Sequence, residues 1–194
     1  AAMTRTGQAF EWRLARGEPE SVLAFHAHYT DLVVVGQGTS SENGVSPATV
    51  ALAAGVPTLV MPEKSRVSNV GRDILIAWNR SREAARAVHD ALPLLTRAQK
   101  VTVMEINPER GATPHLAGAD IAAHLARHGV RVEVQSSSAV DMQVGEIILS
   151  RVSDLGADLL VMGAYGHSRM REVAFGGVTR YVLENLTVPT LLSH

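Results

Sequence analysis

The chain has no cysteine. Disulfides, cysteine-bound zinc, iron–sulfur clusters and thiol nucleophiles are therefore excluded, and a reducing, cytoplasmic setting is expected. An excess of either charge is also lacking: 18 Lys+Arg stand against 19 Asp+Glu, for a formal net of -1. No global basic field is available to hold a nucleic acid, and no polybasic patch to hold a membrane. Nor is there a long hydrophobic run. The longest, around residues 50–61, is interrupted by Gly55 and Pro57 and is too short and broken to span a bilayer. No apolar stretch follows Ala1-Ala2-Met3-Thr4-Arg5, so no secretory signal is read there. What is present is 46% hydrophobic residues in a chain of 194. That is too apolar for a disordered protein, and enough for one ordinary domain or one domain and part of another.

Short apolar runs alternate with helical patterns throughout. Asp31-Leu-Val-Val-Val35, Ile74-Leu-Ile-Ala77, residues 101–106, Leu159-Leu-Val-Met162 and residues 188–192 read as strands, several without polar alternation, as expected for a parallel sheet buried on both faces. Phe10, Trp12 and Leu14 alternate with Glu11 and Arg13, and Val130, Val132 and Val134 alternate with charged or polar residues. Both segments are expected to be half-buried strands near a sheet edge. Ser81 caps a helix with Glu83 in its first turn and Ala84, Val88, Leu92 and Leu95 on one face. Thr113-Pro114 opens a second helix that stops at His128-Gly129. Asp141 opens a third, with Val144, Ile148, Val152 and Leu155 on one stripe and Gly156 ending it. This rhythm implies an α/β fold with a doubly wound parallel sheet.

The chain also repeats itself. Asp31-Leu-Val-Val-Val-Gly36 matches Asp158-Leu-Leu-Val-Met-Gly163, and Val56-Pro-Thr-Leu59 matches Val188-Pro-Thr-Leu191. The second unit has five strand candidates and the first only three, around 9–14, 31–35 and 57–61. Residues 63–71 read as a polar linker, leaving 72–194 as a complete domain and 1–62 as the second half of a degenerate copy. A sheet without its central strands leaves edges and apolar faces bare, so the expectation is a tandem protein without its start, or a partner that covers the gap.

The chemical signal is a glycine loop. Gly163-Ala-Tyr-Gly166 follows an apolar strand; nine residues later come Gly176-Gly177-Val178-Thr179 and a helical stretch. Gly163 and Gly166 let the backbone turn and approach a ligand. Gly176 and Gly177 stand at a helix start, where free N–H groups and the dipole favour an anion. The span between holds His167, Arg169 and Arg171 as phosphate contacts. A helix-capping loop whose glycines serve packing fits the same spacing. In a doubly wound sheet ligands sit beyond the carboxyl ends of strands where the winding reverses. That places Asn79 opposite the loop, if strand 74–77 neighbours 159–162, and Ile106 at the end of the next strand.

Taken together, residues 72–194 resemble a universal stress protein domain. The carriers are Gly163, Gly166 and Gly176 at the family spacing, the Val188-Pro-Thr-Leu191 end strand, the helix before Asp158 and the strand opening at Ile74. The resemblance implies a sheet of order 3-2-1-4-5 that binds an adenine nucleotide, ATP with Mg²⁺. Carried over by position, the binding residues are Ala77, Trp78 and Asn79; Ile106; Met162, Gly163 and Gly166; and Gly176, Gly177, Val178 and Thr179. The resemblance also implies a homodimer or an intrachain pseudo-dimer through the last strands, here residues 58–61 against 190–192. Three positions depart from the family pattern. Asn79 stands where nucleotide binders usually carry Asp, Gly177 replaces a Ser or Thr, and Trp78 is bulky at a position facing the base. The first unit's loop spans eight residues from Gly36 to Gly44 against thirteen from Gly163 to Gly176, and Glu42 would repel phosphate, so no nucleotide is expected there.

The functional expectation is a regulatory or stress-response module that binds ATP and at most hydrolyses it slowly. The alternative is a structural or dimerisation module of the same fold that binds no nucleotide. An ATP-pyrophosphate-splitting ligase would need a Ser/Gly-rich loop after the first strand, which Trp78-Asn79-Arg80-Ser81 does not supply. No catalytic triad is read around Ser153 or Ser168. His124 and His128 lie four apart on one helix, but Arg127 beside them would repel a cation, and a solvated face is preferred over a metal site.

Overall fold

A computed structural model describes residues 9–38, 45–64, 69–106, 118–137, 144–166 and 177–194. Expectations for Glu42, Gly44, Thr113-Pro114, Asp141, His167, Ser168, Arg169, Arg171 and Gly176 lie outside them. The elements are α1 (Pro19–Ala27), β1 (Val33–Gly36), α2 (Pro47–Ala53), β2 (Thr58–Met61), β3 (Asp73–Trp78), α3 (Arg82–Leu95), β4 (Lys100–Ile106), α4 (Ala119–Arg127), β5 (Val132–Ser137), α5 (Val144–Leu155), β6 (Leu159–Gly163), α6 (Gly177–Glu184) and β7 (Thr190–Ser193). They build an α/β fold around one seven-stranded sheet of order β1-β2-β7-β6-β3-β4-β5. From β3 onward the order is third, second, first, fourth, fifth, and every neighbour pair in that stretch is parallel.

The apolar runs form strands because both faces of the sheet are covered. Leu75, Met104, Leu160, Met162 and Leu192 point to one face, where Ile148, Val152 and Val182 of α5 and α6 pack with Val50 of α2 and Ala27 of α1. Ile74, Ile76, Val101, Val103, Leu159, Val161 and Leu191 point to the other, under α3 and α4. Ser81 caps α3 by accepting from the Ala84 N–H at 3.1 Å. The buried stripe of α3 is Ala84, Ala87, Val88, Ala91 and Leu95, and its small residues let the helix lie close to the sheet. Gly129 and Gly156, at φ 78° and 60°, end α4 and α5 in the left-handed region.

β2 and β7 pair antiparallel: Thr58 opposite Leu192, Leu59 opposite Leu191, Val60 opposite Thr190. Leu59 and Leu191 are repeat counterparts, so the seam carries a local two-fold axis through that pair. Thr58, Val60, Thr190 and Leu192 are fully buried there.

One strand expectation is overturned. Residues 9–16 form no regular structure, and Phe10, Trp12 and Leu14 are 60%, 84% and 87% exposed. Alternation alone does not make a strand; a ladder partner does, and this segment has none among the described residues. Among the described residues, those before 63 therefore contribute two strands to the sheet, β1 and β2. The 130–134 alternation does become β5, the edge strand beside β4.

Candidate functional site

The parallel strands β3, β4 and β6 bring their carboxyl ends to one side of the sheet. Ala77 sits in register with Met104 and with Met162. Ala77, Met162 and Ile106 all contribute to the apolar cluster on the α5/α6 face. Trp78 points the other way: it is in register with Glu105 and packs against the α3/α4 cluster. Its indole thus fills space on the opposite side from Ala77 and Met162.

The glycines of the loop have a packing role. A Cβ on Gly163 would lie 2.5 Å from the Ala84 nitrogen and 2.6 Å from the Glu83 carbonyl carbon. One on Gly166 would lie 2.9 Å from Glu83 Oε2 and 3.1 Å from Ser81 Oγ. The loop thus rests directly on the first turn of α3. Glu83 itself is 2% exposed. Burial pushes its carboxyl up, but hydrogen bonds from the Arg82 guanidinium, the backbone and the Ser81 hydroxyl outweigh this and hold it below the usual carboxylate range. An anion neutralised by Arg82 therefore underlies Gly166.

The turn between β3 and α3 is self-contained. Asn79 Oδ1 accepts the Ser81 N–H at 3.1 Å, a side-chain turn that an Asp would also make. Arg80 takes φ 60°, and its Nε reaches Glu105 Oε1 at 2.8 Å. Glu105 is 4% exposed and its second carboxylate oxygen is buried without a partner. This pair was missed in the sequence, where its one signal was an acid inside the buried run 101–106.

The glycine loop is tied to α6 at its other end. The Tyr165 N–H donates to Thr179 Oγ1 at 3.3 Å, and Thr179 is buried. Tyr165 adopts φ 55°; burial pushes its phenol up against the opposing charge of Arg180, so it stays protonated at neutral pH. Gly177 begins the described part of α6, is exposed, and has no described heavy atom within 4 Å of where a Cβ would stand. Val178 is half-buried beside it.

A cavity of about 580 Å³ opens on the first-unit side of this region, lined among others by Gln37, Ser46, Lys64, Tyr165, Arg180 and Asn185. Tyr165 of the glycine loop lines it, but none of the described residues expected to bind nucleotide does. Its wall is a clamp: Gln37 Nε2 donates to the carbonyls of Leu183 and Glu184 at 2.9 and 3.3 Å, and its Oε1 accepts the Glu63 N–H at 3.2 Å. Gln37 so satisfies carbonyls that the end of α6 leaves free.

His124 and His128 do meet, with ring centroids 4.8 Å apart, and His89 of α3 stacks on His124 at 5.1 Å. Among the described residues no group of three or more His, Cys, Asp or Glu is placed to hold a metal ion. Burial, then the charges of His128, His89 and Arg127, hold the His124 imidazole below its ordinary value of 6.5. The unfolded chain therefore binds this proton more readily than the folded one, so stability is complete above about pH 6.5 and falls as the pH drops toward the folded value. We predict that thermal melts will show a lower Tm at pH 5.5 than at pH 7.5, and that His124→Gln will reduce this difference. An equal pH response in wild type and variant would assign the effect elsewhere.

Among the described residues no helix is long and apolar enough to cross a membrane. The sequence model described as the universal stress protein family matches residues 71–194. Universal stress protein Slr1230 of Synechocystis is 34% identical over 91 residues, which cover 47% of this chain and 30% of that one. A universal stress protein structure from Archaeoglobus fulgidus superposes with TM-score 0.70 at 18% identity, covering 90% of this chain and 64% of that chain. PA1789 of Pseudomonas aeruginosa, a protein of unknown function, superposes with TM-score 0.57 at 15% identity, covering 99% of this chain and 74% of its own. With the family's sequence pattern over residues 71–194 and its fold in the same residues, the chain belongs to the universal stress protein family.

Proposed function

We propose that the carboxyl ends of β3, β4 and β6 bind an adenine nucleotide, ATP with Mg²⁺, and that the chain is a nucleotide-responsive stress or regulatory module that at most hydrolyses ATP slowly. What supports this reading is the Tyr165–Thr179 hydrogen bond, which fixes the glycine loop against α6, together with Gly177, where the described part of that helix begins and no described heavy atom lies within 4 Å of a Cβ, so that an anion would sit there. Ala77, Met162 and Ile106 would line the base side, with Asn79 near the ribose. In this reading residues 72–194 are the complete domain, 63–71 the linker and 1–62 half of a degenerate copy that binds no nucleotide.

The second reading is a structural module that binds none. It is favoured by Trp78 facing the α3/α4 cluster, by Glu83 beneath Gly166, and by a glycine at 163 that packing alone requires. Calorimetric titration of the nucleotide-stripped chain with ATP and Mg²⁺ decides between them. Saturable binding of one nucleotide per chain is expected; no heat and no thermal stabilisation at millimolar ATP would leave the structural module standing. Gly177→Asp refines the test. Its Cβ meets no described heavy atom within 4 Å, so Tm should hold, while its charge should weaken ATP at least tenfold. Unchanged affinity would remove α6 from the site.

A further inference from the structure

Two local costs meet where β3 and β4 end. The first is conformational. Arg80 is held at φ 60°, a left-handed backbone that costs a residue with a Cβ and that glycine adopts freely. The second is electrostatic. Val101 and Val103 of β4 belong to the apolar cluster under α3 and α4. Glu105 continues their alternation at 4% exposure, in register with Trp78. A buried carboxylate in that row is costly, and its Oε2 has no hydrogen-bond partner among the described residues.

The two costly residues are joined to each other. Arg80 Nε lies 2.8 Å from Glu105 Oε1, with the arginine side chain 39% exposed and the glutamate side chain 5%. Stability does not account for the pair. Apolar groups of similar volume often match or better a buried ion pair, and a methionine at 105 would extend the apolar row. A glycine at 80 would remove the strain. Costs of this kind persist where the geometry they impose is used.

The sequence neighbours of the pair show what it fixes. Asn79 precedes Arg80 and accepts the Ser81 N–H at 3.1 Å, and Ser81 caps α3. Ile106 follows Glu105 and joins Ala77 and Met162 in the α5/α6 cluster. The bridge thus runs from the β3–α3 turn to the end of β4, and each of its ends is one residue from a candidate nucleotide contact. We infer that Arg80 and Glu105 are positioning residues for the base and ribose end of the site: their bridge holds the Asn79 turn at a fixed reach from Ile106. This role rests on the nucleotide reading above, whereas the pinning of the turn is measurable without nucleotide.

The test is the double variant Arg80→Gly/Glu105→Met in the 194-residue chain. Both costs are removed, so Tm should equal or exceed that of the parent chain. Without nucleotide, NMR should show the Ser81 amide exchanging about fivefold faster or more. Calorimetry should show ATP and AMP weakened by the same factor, about tenfold, because the fault lies at the end they share. Glu105→Gln keeps an acceptor for the Arg80 Nε–H and should stay within about threefold of the parent chain. A lower Tm in the double variant would make the pair a stability element, and an unchanged Ser81 amide would show that it does not pin the turn; either overturns the inference. So does unchanged affinity, or a larger loss for ATP than for AMP, which would move the effect to the phosphates. A loss in Glu105→Gln as large as in the double variant would assign the effect to charge and overturn it too. No binding of either nucleotide by the parent chain would overturn the nucleotide reading and the positioning role with it, while the Ser81 amide would still decide whether the bridge pins the turn.

Discussion

Replacing Gly163 by Ala is expected to destabilise the chain by about 3 kcal/mol, and Gly163→Val to prevent folding. Neither effect comes from backbone conformation, because Gly163 is not among the residues with positive φ. It comes from space. The new methyl would stand 2.5 Å from a backbone nitrogen and 2.6 Å from a backbone carbon of α3, and such atoms cannot swing aside as a side chain can. Relief requires α3 to lift from β6, which breaks the contact of Ala87, Val88 and Ala91 with Leu159 and Val161. Gly36 provides the control. It holds the matching position in the repeated sequence with no described heavy atom within 4 Å, so Gly36→Ala should be neutral, or stabilising by about 0.5 kcal/mol through the unfolded chain. Urea unfolding of the two variants measures the difference. Equal midpoints would show that α3 does not press on the loop.

Asp158→Ala is expected to lose about 2–3 kcal/mol, on the scale of hydrogen bonds to a charged acceptor. One carboxylate gathers three successive backbone N–H groups: Gly71 at 3.0 Å, Arg72 at 2.9 Å and Asp73 at 3.1 Å. It fixes where the chain leaves the segment after β2 and enters β3. Losing it frees that corner, and the N–H groups regain only water. Asp31→Ala, at the corresponding position of the first unit, removes an exposed carboxylate and should change stability by less than about 0.5 kcal/mol. If both substitutions cost the same, Asp31 has an anchoring role of its own.

The sheet was legible in the sequence because strands buried on both faces leave unbroken apolar runs, and because the repeated Val-Pro-Thr-Leu segments mark where two units can pair. The stretch around Trp12 was not legible. Its alternation describes a surface that fits a sheet edge, and nothing in the pattern reports whether an edge is there to receive it. Within the candidate site, the positions of Ala77, Met162 and Thr179 followed from the strand and helix ends. The direction of Trp78 did not, since alternation separates the two faces of a strand without saying which helices cover each. The purpose of Gly163 and Gly166 was open for the same reason. Close approach to a phosphate and close approach to a neighbouring helix ask the same of a residue, namely no Cβ, and only the position of α3 shows that packing already requires it. The Arg80–Glu105 pair needed two chain ends to meet across β3 and β4.

The seam between β2 and β7 has a consequence for mass action. Were the two Val-Pro-Thr-Leu strands on separate chains, a thousandfold dilution would weaken their association by about 4 kcal/mol. Here both belong to one polypeptide, so the strands remain at a fixed effective concentration however dilute the protein becomes. The pairing of Leu59 with Leu191 is thereby taken out of reach of the amount of protein the cell makes.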